Sequence, residues 1–136
     1  MTSALIPTIR YRDAPRAVDW LCATFGFEQQ AVYPDEAGGI AHAQLVFGGG
    51  LVMIGSARDD PLGAHQGPAD PSRPVNQSIY VLVPDADSLH ARAKAGGARM
   101  VIDIRDEEYG GRGFVCRDPE GQLWAFGTYN PWPVGA

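Results

Sequence analysis

Three histidines, His42, His65 and His90, are the side chains of this chain best suited to acid–base work or metal ligation. His65 lies in a loop rich in Pro and Gly, and His90 sits beside Arg92 in a helical pattern. That leaves His42, on a strand, as the candidate general base. The two cysteines, Cys22 and Cys116, have no CxxC partner and no His-rich surroundings, so they read as small buried hydrophobes and not as a zinc or redox motif. Glu107-Glu108 pairs two carboxylates, but nothing near it in sequence would bury it, and it reads as a solvated turn. In Tyr109-Gly110-Gly111-Arg112-Gly113 an Arg stands between glycines. This segment is expected either to turn tightly before a strand or to swing Arg112 over a site as a lid, with Tyr109 stacking on a planar ligand.

The elements that must position these residues follow one script written twice. Ile6-Pro7-Thr8-Ile9-Arg10-Tyr11-Arg12-Asp13 and Ser78-Ile79-Tyr80-Val81-Leu82-Val83-Pro84-Asp85 are both strand patterns closed by an Asp, at an offset of 72. The same offset separates Leu51-Val52-Met53-Ile54 from Leu123-Trp124-Ala125-Phe126. Asp13 and Asp85 each cap a helix. In the first, Pro15 occupies the opening turn, Val18, Leu21, Cys22 and Phe25 form one apolar stripe, and Gly26 supplies the stop. The second carries a thinner stripe of Ala86, Leu89 and Ala93. Three strands follow each helix: 27–33, 40–47 and 51–55, then 99–104, 113–117 and 123–129. Gly48-Gly49-Gly50 and Asp118-Pro119-Glu120-Gly121 provide the hairpin turns. The expected fold is therefore α+β, built from two βαβββ modules. Module one spans 4–55, a mobile crossover linker 56–76, module two 77–130 and a C-terminal tail 131–136, all within one domain.

Composition narrows the function. The 136 residues are 45% hydrophobic and 20% charged, ordinary for a globular domain, and a net charge of −5 disfavours a nucleic-acid partner, whose phosphates need clustered cations. No apolar run approaches the roughly 20 residues that cross a bilayer, and Met1-Thr2-Ser3-Ala4 does not read as a leader. A soluble, cytoplasmic protein with no membrane partner is expected.

Paired βαβββ modules with the Asp13 and Asp85 caps and the late Arg117-Asp118-Pro119-Glu120-Gly121 hairpin resemble the vicinal oxygen chelate superfamily, which includes glyoxalase I, extradiol dioxygenases and bleomycin-resistance proteins. Ala41-His42-Ala43-Gln44-Leu45 and Tyr109-Gly110-Gly111-Arg112-Gly113 are further similar to its glyoxalase-like, bleomycin-resistance-like branch. The resemblance implies curled mixed sheets around a cup, helices outside, and a homodimer that builds two cups across its interface. It also implies metal ligands on the first and last strand of each module. The matching positions here are Ile6, Met53, Ser78 and Ala125, and a divalent metal needs about three nitrogen, oxygen or thiolate ligands, so no metal and no other cofactor is expected.

Side chains in phase with those positions should line the cup. They are Thr8, Arg10, Ser78, Tyr80, Leu82, Leu51, Met53, Leu123 and Ala125, with His42, Gln44, Phe114 and Cys116 from the middle hairpins, while Trp124 and Phe126 fall in the core. Such a lining suits a small molecule, with Thr8, Arg10, His42, Gln44, Met53, Tyr80, Tyr109, Arg112 and Phe114 as its contacts. The expected function is metal-independent binding and sequestration of a drug or metabolite by a homodimer. The alternative is a metal-dependent lyase, isomerase or dioxygenase, or catalysis by His42.

Overall fold

A computed structural model describes residues 2–133 of the chain; positions 134–136 of the expected tail lie outside them. The element order is β1 (Thr8–Tyr11), α1 (Ala14–Phe25), β2 (Glu28–Pro34), β3 (Ile40–Phe47), β4 (Gly50–Ser56), β5 (Ser78–Leu82), α2 (Ala86–Ala95), β6 (Arg99–Asp106), β7 (Arg112–Arg117) and β8 (Leu123–Gly127). They form two four-stranded mixed sheets, β1-β4-β3-β2 and β5-β8-β7-β6, in which β1 runs parallel to β4 and β5 parallel to β8. This is the α+β fold of two βαβββ modules that the repeat implies. No helix among the described residues is long and apolar enough to cross a membrane.

The caps act as their residue types dictate. Asp13 accepts from the Arg16 amide at 3.2 Å and Asp85 from the Ser88 amide at 3.1 Å, each satisfying an orphan donor of a first turn. Gly26 closes α1 at φ 88°, and its N–H donates to the Cys22 carbonyl. Val18, Leu21 and Phe25 are buried along α1, and Ala86, Leu89 and Ala93 along α2.

The buried side chains of both modules merge into one core. Phe25 of α1 reaches across to module two, where its ring lies 4.6 Å from Phe126 and 5.6 Å from Trp124. The backbones of α1 and α2 come close to each other, while those of the two sheets stay apart. The modules thus meet through their helix-covered faces, and the opposite face of each sheet stays open.

The Asp118-Pro119-Glu120-Gly121 turn fastens this arrangement. Asp118 is buried, and its Oδ2 accepts from Tyr11 Oη of module one at 2.6 Å and from Trp124 Nε1 at 3.0 Å. Glu120 accepts from the backbone amides of Arg12 at 2.6 Å and Asp13 at 2.9 Å, at the entry to α1. The crossover segment, expected to be mobile, is tied down as well. Gln66 Nε2 donates to the Thr8 carbonyl, while Arg12, Arg99 and Arg117 donate to the carbonyls of Ala69, Pro71 and Arg73. Cys116 is buried and Cys22 half-buried, both as free thiols, and burial pushes the Cys116 thiol up to about 12, which removes it as a nucleophile.

Candidate functional site

Strand register decides which side chains reach the open faces. In module one Thr8 pairs with Met53 and Met53 with Gln44, while Arg10 pairs with Gly55, so these residues share the face turned away from the buried row Ile9, Ile54 and Ala43. His42 alternates onto the same face, two residues before Gln44. A directional hydrogen-bond chain runs along it. Gln44 Nε2 donates to Gln30 Oε1 at 2.6 Å, which turns Gln44 Oε1 toward His42 Nε2 at 2.9 Å. His42 therefore donates from Nε2 and keeps Nδ1 as its basic nitrogen. Tyr33 stacks beside it, with rings 6.2 Å apart and 21° from parallel. The Arg10 guanidinium lies over Gly55, in space that a Cβ there would occupy, and Nη1 donates to the Ser56 carbonyl at 3.4 Å. It forms no ion pair with Asp13, Asp35 or any other described carboxylate.

In module two Tyr80 pairs with Ala125 and Ala125 with Val115. Tyr80, Val115, Tyr109, Glu107, Gly113 and Tyr129 border a cleft of about 320 Å³. Tyr80 Oη donates to the Tyr129 carbonyl at 2.7 Å, and the rings of Tyr109 and Tyr129 meet edge to face at 5.0 Å. Partial desolvation, with the Tyr109 phenol nearby, holds the Tyr80 hydroxyl above its ordinary range, so it stays protonated and donates.

Two expected contacts point elsewhere. Phe114 is buried, stacked on Phe126 at 5.4 Å and met edge-on by His90 of α2 at 5.2 Å, which puts its ring on the helix face. Cys116, opposite Trp124, shares that face. Arg112 is no free lid: its Nε donates to the Asp87 carboxylate of α2 at 3.1 and 3.2 Å, and its Nη1 to Asp106 at 3.3 Å. Phe114 and Arg112 border the cleft, but the partners of their side chains lie on the helix side.

The cause is a one-residue slip between the modules. Gln44 faces Met53 and Val115 faces Ala125, so β3 and β7 are related by an offset of 71 (115 − 44) while β4 and β8 keep 72 (125 − 53). The β3–β4 hairpin closes with two residues, Gly48 and Gly49. The β7–β8 hairpin closes with three, Pro119 to Gly121, inside the Asp118–Gln122 pair, with Gly121 at φ 98°. A slip of one moves every side chain of the strand to the other face. The Val115 side chain, and not that of Phe114, therefore points to the open face of the sheet. Gln30, Tyr33, Glu107 and Tyr129 also join the site without having been expected there, and Glu107 is largely buried instead of solvated.

The metal implied by the resemblance does not fit. Met53 and Ala125 face Thr8 and Tyr80 across the parallel pairs, and Ile6 and Ser78 add only a hydrocarbon and a hydroxyl. Among the described residues no three His, Cys, Asp or Glu side chains gather into a ligand set. A second cleft of about 380 Å³ lies on the helix side, between α1 and the Pro119-Glu120 turn. Its carboxylates, Asp13, Asp118 and Glu120, are all engaged by amides or hydroxyls of the fold.

Comparison with known proteins agrees with this architecture. TioX from Micromonospora sp. ML1 is 33% identical, with a TM-score of 0.75 over 94% of this chain and 99% of that one. A glyoxalase-related enzyme from Fulvimarina pelagi shares the fold at 19% identity, with a TM-score of 0.71 over 100% of this chain and 94% of that chain. An uncharacterized protein of Mycobacterium bovis is 28% identical over 124 residues, 91% of this chain and 82% of the relative. The model of the Glyoxalase/Bleomycin resistance protein/Dioxygenase superfamily matches residues 5–126, and with the paired βαβββ modules described above it identifies this chain as a member of that superfamily.

Proposed function

We propose that this protein binds and sequesters a small molecule, without a metal, in cups that a second copy of the chain completes. The observation that carries the reading is the make-up of the two open faces. Each combines large apolar or aromatic side chains with a few oriented polar groups, and neither holds a metal-ligand set. Thr8, Arg10, His42, Gln44 and Met53 form one wall, and Tyr80, Tyr109 and Val115 the other. Within one chain these walls do not face each other, because the modules pack through their helix faces. Tyr80, Leu82 and Ile102 are left exposed, at 42%, 38% and 36%. A second copy supplies the missing opposite wall and covers that surface.

Sequestration differs from catalysis in what becomes of the ligand. The protein is to be screened by thermal shift against drug-sized planar aromatic compounds, and each hit recovered and analysed by mass spectrometry. A compound at a hundredfold excess over its Kd stabilises the fold by about 2.7 kcal/mol, a Tm rise of about 9 °C for a chain of this length. Such a rise is expected, with its reduction in Met53→Trp, which fills the cup, and recovery of the compound unchanged. A new product, lost in His42→Ala, would instead make His42 Nδ1 a general base.

A further inference from the structure

The cleft of module two has a chemistry of its own. Gly111 packs so tightly against the chain leaving β8 that a Cβ there would lie 2.6 Å from the Tyr129 amide nitrogen and 3.1 Å from Thr128 Oγ1. Arg112 N–H donates to Thr128 Oγ1, and Thr128 N–H to the Arg112 carbonyl. This close apposition, which only glycine allows, delivers Tyr109 to Tyr129 at 88° between ring planes. Tyr80, anchored by its hydroxyl to the Tyr129 carbonyl, lies against Gly127, where a Cβ would come within 2.7 Å of Tyr80 Oη. Three phenol rings therefore surround one cleft, with Tyr109 65% and Tyr129 39% exposed. Glu107 is the carboxylate at its border; its side chain is 19% exposed, and only Oε1 is engaged, by Arg105 Nε at 3.1 Å.

The faces of phenol rings that border a cleft are electron-rich and attract an alkylammonium but not its uncharged isostere. The Glu107 carboxylate, partly offset by its Arg105 partner, adds attraction of the same sign, and the net charge of −5 draws cations toward the molecule. We propose that this cleft selects ligands carrying a quaternary or protonated amine, with Tyr80, Tyr109 and Tyr129 as its aromatic walls and Glu107 as its counter-charge. The inference rests on the small-molecule reading above and names the chemical class that site prefers.

Choline and 3,3-dimethyl-1-butanol, in which carbon replaces the nitrogen, test it by calorimetric titration of the full-length protein. The neutral alcohol is the more hydrophobic, so simple apolar burial favours it, whereas the cage favours choline by about tenfold. Tyr109→Leu should abolish that preference and Tyr109→Phe keep it, since the ring face and not the hydroxyl does the binding; Tyr109 is exposed on a loop, and melting curves confirm that each variant is folded. Glu107→Gln should weaken choline several-fold and leave the alcohol unchanged. Equal affinities for the two probes, no binding of choline, or unchanged choline affinity in Tyr109→Leu would each overturn the proposal. Equal affinities would leave the sequestration reading intact, and chemical conversion of a ligand in the preceding screen would overturn that reading without touching this preference.

Discussion

Asp118 carries more of this fold than its place in a surface turn suggests. Its carboxylate accepts from Tyr11 Oη, Trp124 Nε1 and the amides of Glu120 and Gln122, joining β1 of one module to β8 of the other. Burial, opposed by those hydrogen bonds, leaves its pKa above the ordinary 3.8, and burial beside Asp118 pushes the Tyr11 hydroxyl well up. The sign sets the pH dependence. A carboxyl with a raised folded pKa contributes stability that is full below 3.8 and declines as pH rises through the folded value. The advantage of wild type over Asp118→Asn in urea unfolding should therefore be largest in acid and shrink toward neutral pH. An advantage that grows with pH would contradict this account. The sequence displayed Asp118-Pro119-Glu120-Gly121 as a hairpin, which it is. It did not display the latch, because the donors Tyr11 and Arg12 lie more than a hundred residues away and a turn signal is read from neighbours alone.

At the scale of elements, the internal offset of 72 placed β1, β4, β5 and β8 on their correct faces, and with them Thr8, Arg10, Met53 and Tyr80. It failed at β7. The repeat holds for strands whose partners it also fixes, but loop length sets hairpin register, and the two-residue and three-residue turns differ by the one position that sends Phe114 inward and Val115 outward. Gly121 is the residue that makes the longer turn possible. It sits at φ 98°, and a Cβ would lie 2.7 Å from the Pro71 backbone, whereas Gly48 of the shorter turn, at φ 54°, has open space around it. Gly121→Ala should cost about 2–4 kcal/mol in urea unfolding, against about 1 kcal/mol for Gly48→Ala. Equal costs would mean that the packing of the crossover segment on this turn contributes nothing.

For the molecule as a whole, the class of fold was legible because capping, apolar stripes and turn chemistry all repeat, and local signals that agree with one another specify a fold. The back-to-back packing of the modules was not, since Phe25 meeting Trp124 and Phe126 is a contact across about a hundred residues that periodicity does not encode. That packing turns the two open sheet faces outward, and on the proposed reading a second copy would complete the site. The positions at which the resemblance implies metal ligands hold Ile6, Met53, Ser78 and Ala125 in this chain. Elemental analysis of protein purified without chelator and without metal-affinity steps tests this most directly, together with melting in the presence of Zn²⁺, Ni²⁺, Mn²⁺ and Fe²⁺. Far less than one metal per chain and no rise in Tm with any of the four ions are expected. One tightly held ion per cup would contradict metal-independent binding and restore metal-dependent chemistry as the function of this fold.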